Sequence, residues 1–256
     1  MEKIPLTEFD PDVSAIIEPT RVSGKVISSK YCVMPIYGSL IMKLEKEGKL
    51  KKIYQTSTEL ISIMPAGIYE IEYGGKTCIV ANPGVGAPFA AAMLEELIAM
   101  GCRKFVACGS AGVLKQELKR GAIVIPSSAL RDEGTSYHYS PPSRYIEMDS
   151  KVVEKLERVL QKYHVNYEVG RTWTTDAFYR ETRGKISQRK MEKCLTVEME
   201  CSALIAVAEF RNVKFGQYLA VGDDVSGEQW DPRYVGDKMT FQEKIFWLSI
   251  EACLSL

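Results

Sequence analysis

The feature that most constrains this chain is a repeated junction. Short apolar runs stop at clusters of glycine or acidic residues, and helical patterns fill the gaps between them. Lys76–Ala81 runs into Asn82-Pro83-Gly84-Val85-Gly86, and Ala90–Met100 then reads as a helix closed by Gly101. Lys104–Cys108 ends at Gly109-Ser110-Ala111-Gly112, and Ala122–Pro126 is a further short run. Val152, Leu156, Val159, Leu160 and Tyr163 recur at helical spacing behind a Ser150 cap. Thr172–Thr175 precedes a loop, and Cys194–Glu198 leads into a helix over Ser202–Phe210. Gln217–Val221 stops at Gly222-Asp223-Asp224, and Thr240-Phe241-Gln242-Glu243 is a capping-box pattern that opens a terminal helix. Strands alternating with helices predict an α/β fold, with a central, mixed and largely parallel sheet flanked by helices. In such sheets ligands collect at the carboxyl ends of strands, where the glycine and acidic clusters of this chain lie.

The 256 residues suffice for one sizeable core, and the reading is a single domain over 1–256. The 33 basic and 33 acidic residues cancel, which gives no charge footprint for nucleic acid. No run of 18 apolar residues exists, so no membrane span is expected, and the N-terminus lacks the apolar core of a signal peptide. The seven cysteines include no Cys-x-x-Cys pair, and five sit in apolar segments. Reduced, buried thiols in a cytoplasmic protein are the expectation.

Each motif by itself has two readings. Gly84-Val85-Gly86 lies between a strand and a helix, but Phe89 occupies the third glycine position of a dinucleotide fingerprint. A structural turn and a turn lining a small ligand both remain open. Cys108 replaces the first glycine of a nucleophile elbow around Ser110, and the chain has only His138 and His164 to serve a hydrolase triad. Glycines around a serine still suit an oxyanion. Glu198 and Glu200 are two apart in extended backbone and so share a face, as a vicinal diol would require, or end a solvated strand. Asp223-Asp224 closes a buried run, as a proton donor with a raised pKa or as a turn. Phe178-Tyr179 offers aromatic faces to a flat heterocycle or to the core. No His/Cys/Asp cluster has metal-ligand spacing.

In order along the chain, Pro19-Thr20-Arg21, Gly84-Val85-Gly86, Gly109-Ser110-Ala111-Gly112, Asp176-Ala177-Phe178-Tyr179, Val197-Glu198-Met199-Glu200 and Gly222-Asp223 resemble the uridine phosphorylase and purine nucleoside phosphorylase family, the branch that also contains methylthioadenosine nucleosidase. The resemblance implies phosphorolysis of a nucleoside, purine favoured, to free base and ribose 1-phosphate. It implies no cofactor, with inorganic phosphate as co-substrate, and a homo-oligomer, either a dimer or a hexamer. By the same resemblance Glu200 holds the ribose hydroxyls, with Met199 beneath the sugar and Glu198 nearby. Phe178, Ala111 and Gly112 meet the base, and Thr182 falls where uridine enzymes carry the glutamine that reads uracil. Gly109, Ser110 and Arg21 bind phosphate, and Asp223 protonates the leaving purine.

Some positions depart from the family pattern. Ala107 stands where phosphorylases carry an arginine two residues before the Gly-Ser pair, and Ile17 stands where their N-terminal turn has glycine. No histidine precedes residue 138. Arg131, Arg180 or Arg183 are the candidates for the missing charge. The competing readings are a uridine phosphorylase, a nucleosidase that uses water, and a nucleoside-binding protein without catalysis. Retention of Glu200 and Asp223 speaks against the last, since binding alone needs no acid.

Overall fold

The computed structural model describes residues 4–20, 27, 29–55, 67–233 and 238–256. One sheet of ten strands runs through them. The strands are β1 (Tyr31–Pro35), β2 (Lys51–Gln55), β3 (Gly67–Tyr73), β4 (Lys76–Ala81), β5 (Lys104–Val113), β6 (Ile123–Asp132), β7 (Tyr145–Glu147), β8 (Tyr167–Thr175), β9 (Cys194–Glu198) and β10 (Lys214–Asp224). Among the described residues six α-helices flank them: α1 (Gly38–Lys46), α2 (Ala87–Ala99), α3 (Ser150–Lys162), α4 (Arg183–Met191), α5 (Cys201–Phe210) and α6 (Lys238–Ser255).

The spatial order is β10-β6-β8-β9-β5-β1-β4-β3-β2, with β7 on β6 and an additional pairing of β10 with β5. That last pairing closes β5, β10, β6, β8 and β9 into a ring. The α/β architecture with a mixed sheet is as expected: five strand pairings are parallel and five antiparallel, the longest ladders being parallel. Pairings β1–β4, β1–β5, β5–β10, β6–β8 and β8–β9 are parallel. Pairings β2–β3, β3–β4, β5–β9, β6–β7 and β6–β10 are antiparallel. Length explains the ring. The ten residues of β5 pair with β1 through their first half and with β9 through Gly112 and Val113, so one strand belongs to both parts of the sheet.

Local chemistry accounts for the boundaries. β4 and β9 match the apolar runs residue for residue, because each is bounded by turn residues. β10 starts earlier than expected, at Lys214, and ends later, at Asp224. The cap of α3 is Asp149, whose carboxylate accepts from Lys151 N, and not Ser150, which is the first helical residue. α6 begins at Lys238, so Thr240 lies inside its first turn, while Glu243 pairs with Lys43 and Lys49 at 2.6 and 3.1 Å. All seven cysteines are buried and unpaired. No helix among the described residues is long and apolar enough to cross a membrane.

β10 is central to the packing. A Cβ placed on Gly216 would lie 2.8 Å from Val152 Cγ1 and 3.0 Å from Leu156 Cδ1, so the missing side chain lets α3 seat on the strand. We predict that Gly216→Ala costs about 1–3 kcal/mol through overpacking, read as a lower urea midpoint with unchanged slope.

Candidate active site

The carboxyl ends of β4, β5, β9 and β10 and the loop after β1 converge on a cavity of 840 Å³. The site begins where β9 turns into α5. Glu198, the last residue of β9, is 5% exposed. Its Oε2 accepts from the backbone N–H groups of Glu200 and Cys201 at 2.8 and 2.6 Å, and its Oε1 accepts from Thr174 Oγ1 at 2.6 Å. The carboxylate thus serves the unsatisfied donors at the start of α5. Burial and the charge of Glu200 push the Glu198 pKa up, while these three donors pull it back. Its carboxylate oxygens are committed to the fold, although the residue lines the cavity.

Glu200 follows, 4% exposed. Among the described residues one of its oxygens is occupied: Oε1 accepts from Gly86 N at 2.6 Å. Burial raises its pKa, and the Gly86 bond opposes that. The Gly84-Val85-Gly86 turn therefore has a definite task, which is to aim one N–H at Glu200. Gly86 holds a φ of 97°, which L side chains rarely adopt. Gly84 is covered by Phe89, the residue that spoils the dinucleotide fingerprint: a Cβ on Gly84 would lie 1.9 Å from Phe89 Cδ1.

Ser110, Gly112, Phe178, Met199 and Asp223 line the same cavity. Ser110 is exposed at its wall, and Phe178 is 50% exposed beside Tyr179, ring centroids 4.0 Å apart. A Cβ on Gly112 would lie 3.9 Å from Asp223 Oδ1, so that glycine keeps space open beside the acid. Asp223 Oδ2 accepts from Trp230 Nε1 at 2.7 Å. Its neighbour Asp224 faces away, accepting from Ser226 N at 2.7 Å and pairing with Arg233. Burial opposes ionisation of Asp224, but these partners outweigh it and hold its pKa below the usual value.

Other expected residues lie outside the lining. Gly109 sits behind it, where a Cβ would lie 3.1 Å from Ile36 Cδ1. Ala111 is buried, with its carbonyl against Gly222. Thr182 caps α4, its hydroxyl accepting from Lys185 N at 3.4 Å. Arg21 lies outside the described residues. Arg131 is spent on its own loop, donating to Ser136, Ser143 and the Ser140 and Pro141 carbonyls. Arg180 is exposed, and Arg183 donates to the Glu228 carbonyl. Among the described residues lining the cavity none is basic, whereas Glu181, Glu198, Glu200 and Asp223 are acidic. An adjoining cavity shares Ser110, Asp223 and Trp230 and carries Lys119 and Arg120. Among the described residues no cluster of His, Cys, Asp or Glu could hold a metal ion.

Sequence reasoning missed Tyr37, Glu181 and Trp230, which line the cavity. Tyr37 is buried directly after β1, and its hydroxyl has no hydrogen-bond partner among the described residues. Among the described residues, the cavity-lining loop of the N-terminal third is Ile36-Tyr37-Gly38-Ser39. The missed signal was the apolar run Tyr31–Pro35 with Gly38 behind it.

The commitment of Glu198 to three donors can be tested on the fold. Glu198→Ala should destabilise the chain by roughly 1–3 kcal/mol for each donor left buried and unpaired, seen as an earlier urea transition.

Comparison with known proteins agrees with this architecture. A family model described as the Phosphorylase superfamily matches residues 46–244. A guanosine phosphorylase of Halorubrum lacusprofundi is 28% identical over 163 residues, 63% of this chain and 68% of that protein. A uridine phosphorylase of Thermococcus kodakarensis is 25% identical over 190 residues, 69% of each. A crystal structure of uridine phosphorylase from Vibrio fischeri superposes with a TM-score of 0.74 at 21% identity, covering 91% of this chain and 95% of that one, a likeness of fold. With its match extending over most of its length, the chain belongs to the phosphorylase superfamily, as a member of the nucleoside phosphorylase family.

Proposed function

We propose that the protein cleaves the N-glycosidic bond of purine nucleosides by phosphorolysis, releasing the free base and ribose 1-phosphate. The observation that carries this reading is the placement of Asp223 and of the single uncommitted Glu200 oxygen in one cavity with Phe178. Cleavage leaves positive charge on the ribose and an electron pair on the base. Glu200 accepts from the ribose hydroxyls through its free oxygen, and Met199 packs beneath the sugar. Phe178 stacks on the base. Asp223 handles the base nitrogen that takes up a proton. A carboxyl acid at this end of the cavity suits a purine, whose N7 can take up a proton as the bond breaks, better than uracil, whose second ring nitrogen already carries hydrogen. The relatives themselves divide between a guanosine phosphorylase and a uridine phosphorylase.

Phosphate is assigned to the Ser110 wall, where a hydroxyl and glycine backbone lie open, with Arg21 as its cation. No resident cofactor is required, because binding, orientation and charge supply the catalysis. Exposed Val85 and Tyr179 beside the cavity fit burial by a second subunit, in a dimer or hexamer. One observation favours a second reading, cleavage by water: the described cavity lining holds four acids and no base.

Incubating the protein with inosine, adenosine, uridine and methylthioadenosine, with and without phosphate, separates these readings. Base release from inosine only with phosphate is the expected result, and phosphate-independent release would transfer the assignment to a nucleosidase. Asp223→Asn should lower kcat for inosine by about 10²–10⁴-fold with little change in KM. Glu200→Gln should cut kcat/KM by about ten- to a hundredfold, the worth of a hydrogen bond to a charged group.

A further inference from the structure

Glu181 is the cavity carboxyl that the site described above leaves unused. Its backbone is pinned on both sides. Its N–H donates to the Phe178 carbonyl at 3.1 Å, closing the 3-10 turn Phe178–Arg180, and the next residue, Thr182, caps α4. Among the described residues its side chain makes no hydrogen bond or ion pair, although it is only partly exposed. It lines the 840 Å³ cavity together with Asp223, whose charge reaches it. Asp223 differs in one respect: the Trp230 indole donates to it at 2.7 Å, whereas the Glu181 side chain has no such partner among the described residues.

We propose that Glu181 and Asp223 form a carboxyl pair that protonates the departing purine, with Glu181 as the member that holds the proton. The proposal rests on the reading of this cavity as a purine nucleoside site. Two carboxyls in one cavity avoid carrying two charges at once, and the unpartnered member keeps its proton. Burial, followed by the charge of Asp223, pushes the Glu181 pKa up to about 7, close to the value that best serves a general acid at neutral pH. Other charged groups border it. Arg180 precedes it on the turn, and Arg183 and Lys190 of α4 and Glu228 beyond β10 share an adjoining cavity with it. Glu198 and Glu200 lie across the main cavity. In the reaction the C1′–N9 bond breaks and its electron pair passes to the base. The Glu181 proton passes to purine N7, and an oxygen of phosphate bonds to C1′. Both carboxyls are then ionised, and the pair regains its proton from solvent once the base has left.

The test compares wild type, Glu181→Gln, Glu181→Asp and Asp223→Asn on inosine and on 7-methylguanosine, whose methylated base already carries the charge that protonation would supply. Because the protonated pair is the active form, wild-type kcat/KM for inosine should fall as pH rises through about 7, tenfold per unit beyond it. Glu181→Gln should lower kcat for inosine by about 10²-fold or more and abolish that alkaline fall, while Glu181→Asp restores a fall at a displaced pH. Near neutrality Glu181→Gln and Asp223→Asn should both cleave 7-methylguanosine within a few-fold of wild type. Equal losses on inosine and 7-methylguanosine would mean that Glu181 only shapes the pocket or reads the base edge, and would overturn the proposal. An intact alkaline fall in Glu181→Gln would overturn it as well, with purine cleavage by the wild type left standing. A wild type that cleaves uridine and no purine nucleoside would instead remove the purine reading, and the pair with it.

Discussion

The site depends on the carboxylate of Glu198 at the start of α5. A buried carboxylate is tolerated only when donors converge on it, and here two backbone N–H groups and the Thr174 hydroxyl do so. Those bonds tie the end of β9 to β8 and to the first turn of α5. Once that junction is rigid, Met199 and Glu200 have one direction left, into the cavity. Glu200 is then held from across the sheet by Gly86 N, so the turn after β4 and the turn after β9 position each other.

The two glutamates have therefore divided the work. Both are buried, and both could have faced a ligand by their spacing. Glu198 satisfies helix donors with both oxygens, whereas Glu200 keeps one oxygen free. The acids at the other end of the cavity divide in the same way. Asp224 is bound to Ser226 and Arg233, and Asp223 accepts one hydrogen bond and presents its remaining oxygen beside Gly112. In each pair the fold engages one carboxylate fully and leaves its neighbour facing the cavity with fewer partners.

Ring closure decides which strand ends can meet. β5 pairs with β10 along its whole length on one side, and on the other with β1 through its first half and then with β9 at Gly112 and Val113. That arrangement brings Ser110, Glu200 and Asp223, far apart in the chain, to one opening. It also explains why glycine is needed along this part of β5. Gly109 yields space to Ile36, and Gly112 to Val197 and Asp223.

The sequence by itself determined the alternation of strands and helices, β4 and β9 residue for residue, and the grouping of glycines and acids at strand ends. Those features follow from local chemistry: apolar runs bounded by turn residues, and helical spacing of apolar side chains. The family was legible for the same reason, because its motifs are contiguous. Tertiary structure alone decided the rest. It showed β5 and β10 closing the ring, Thr182 capping α4 while the preceding Glu181 lines the cavity, and the loop after β1 lining that cavity. It also separated Glu198 from Glu200. Residue type and spacing state what a carboxylate can accept; only the donors brought to it through space state what it has left to offer.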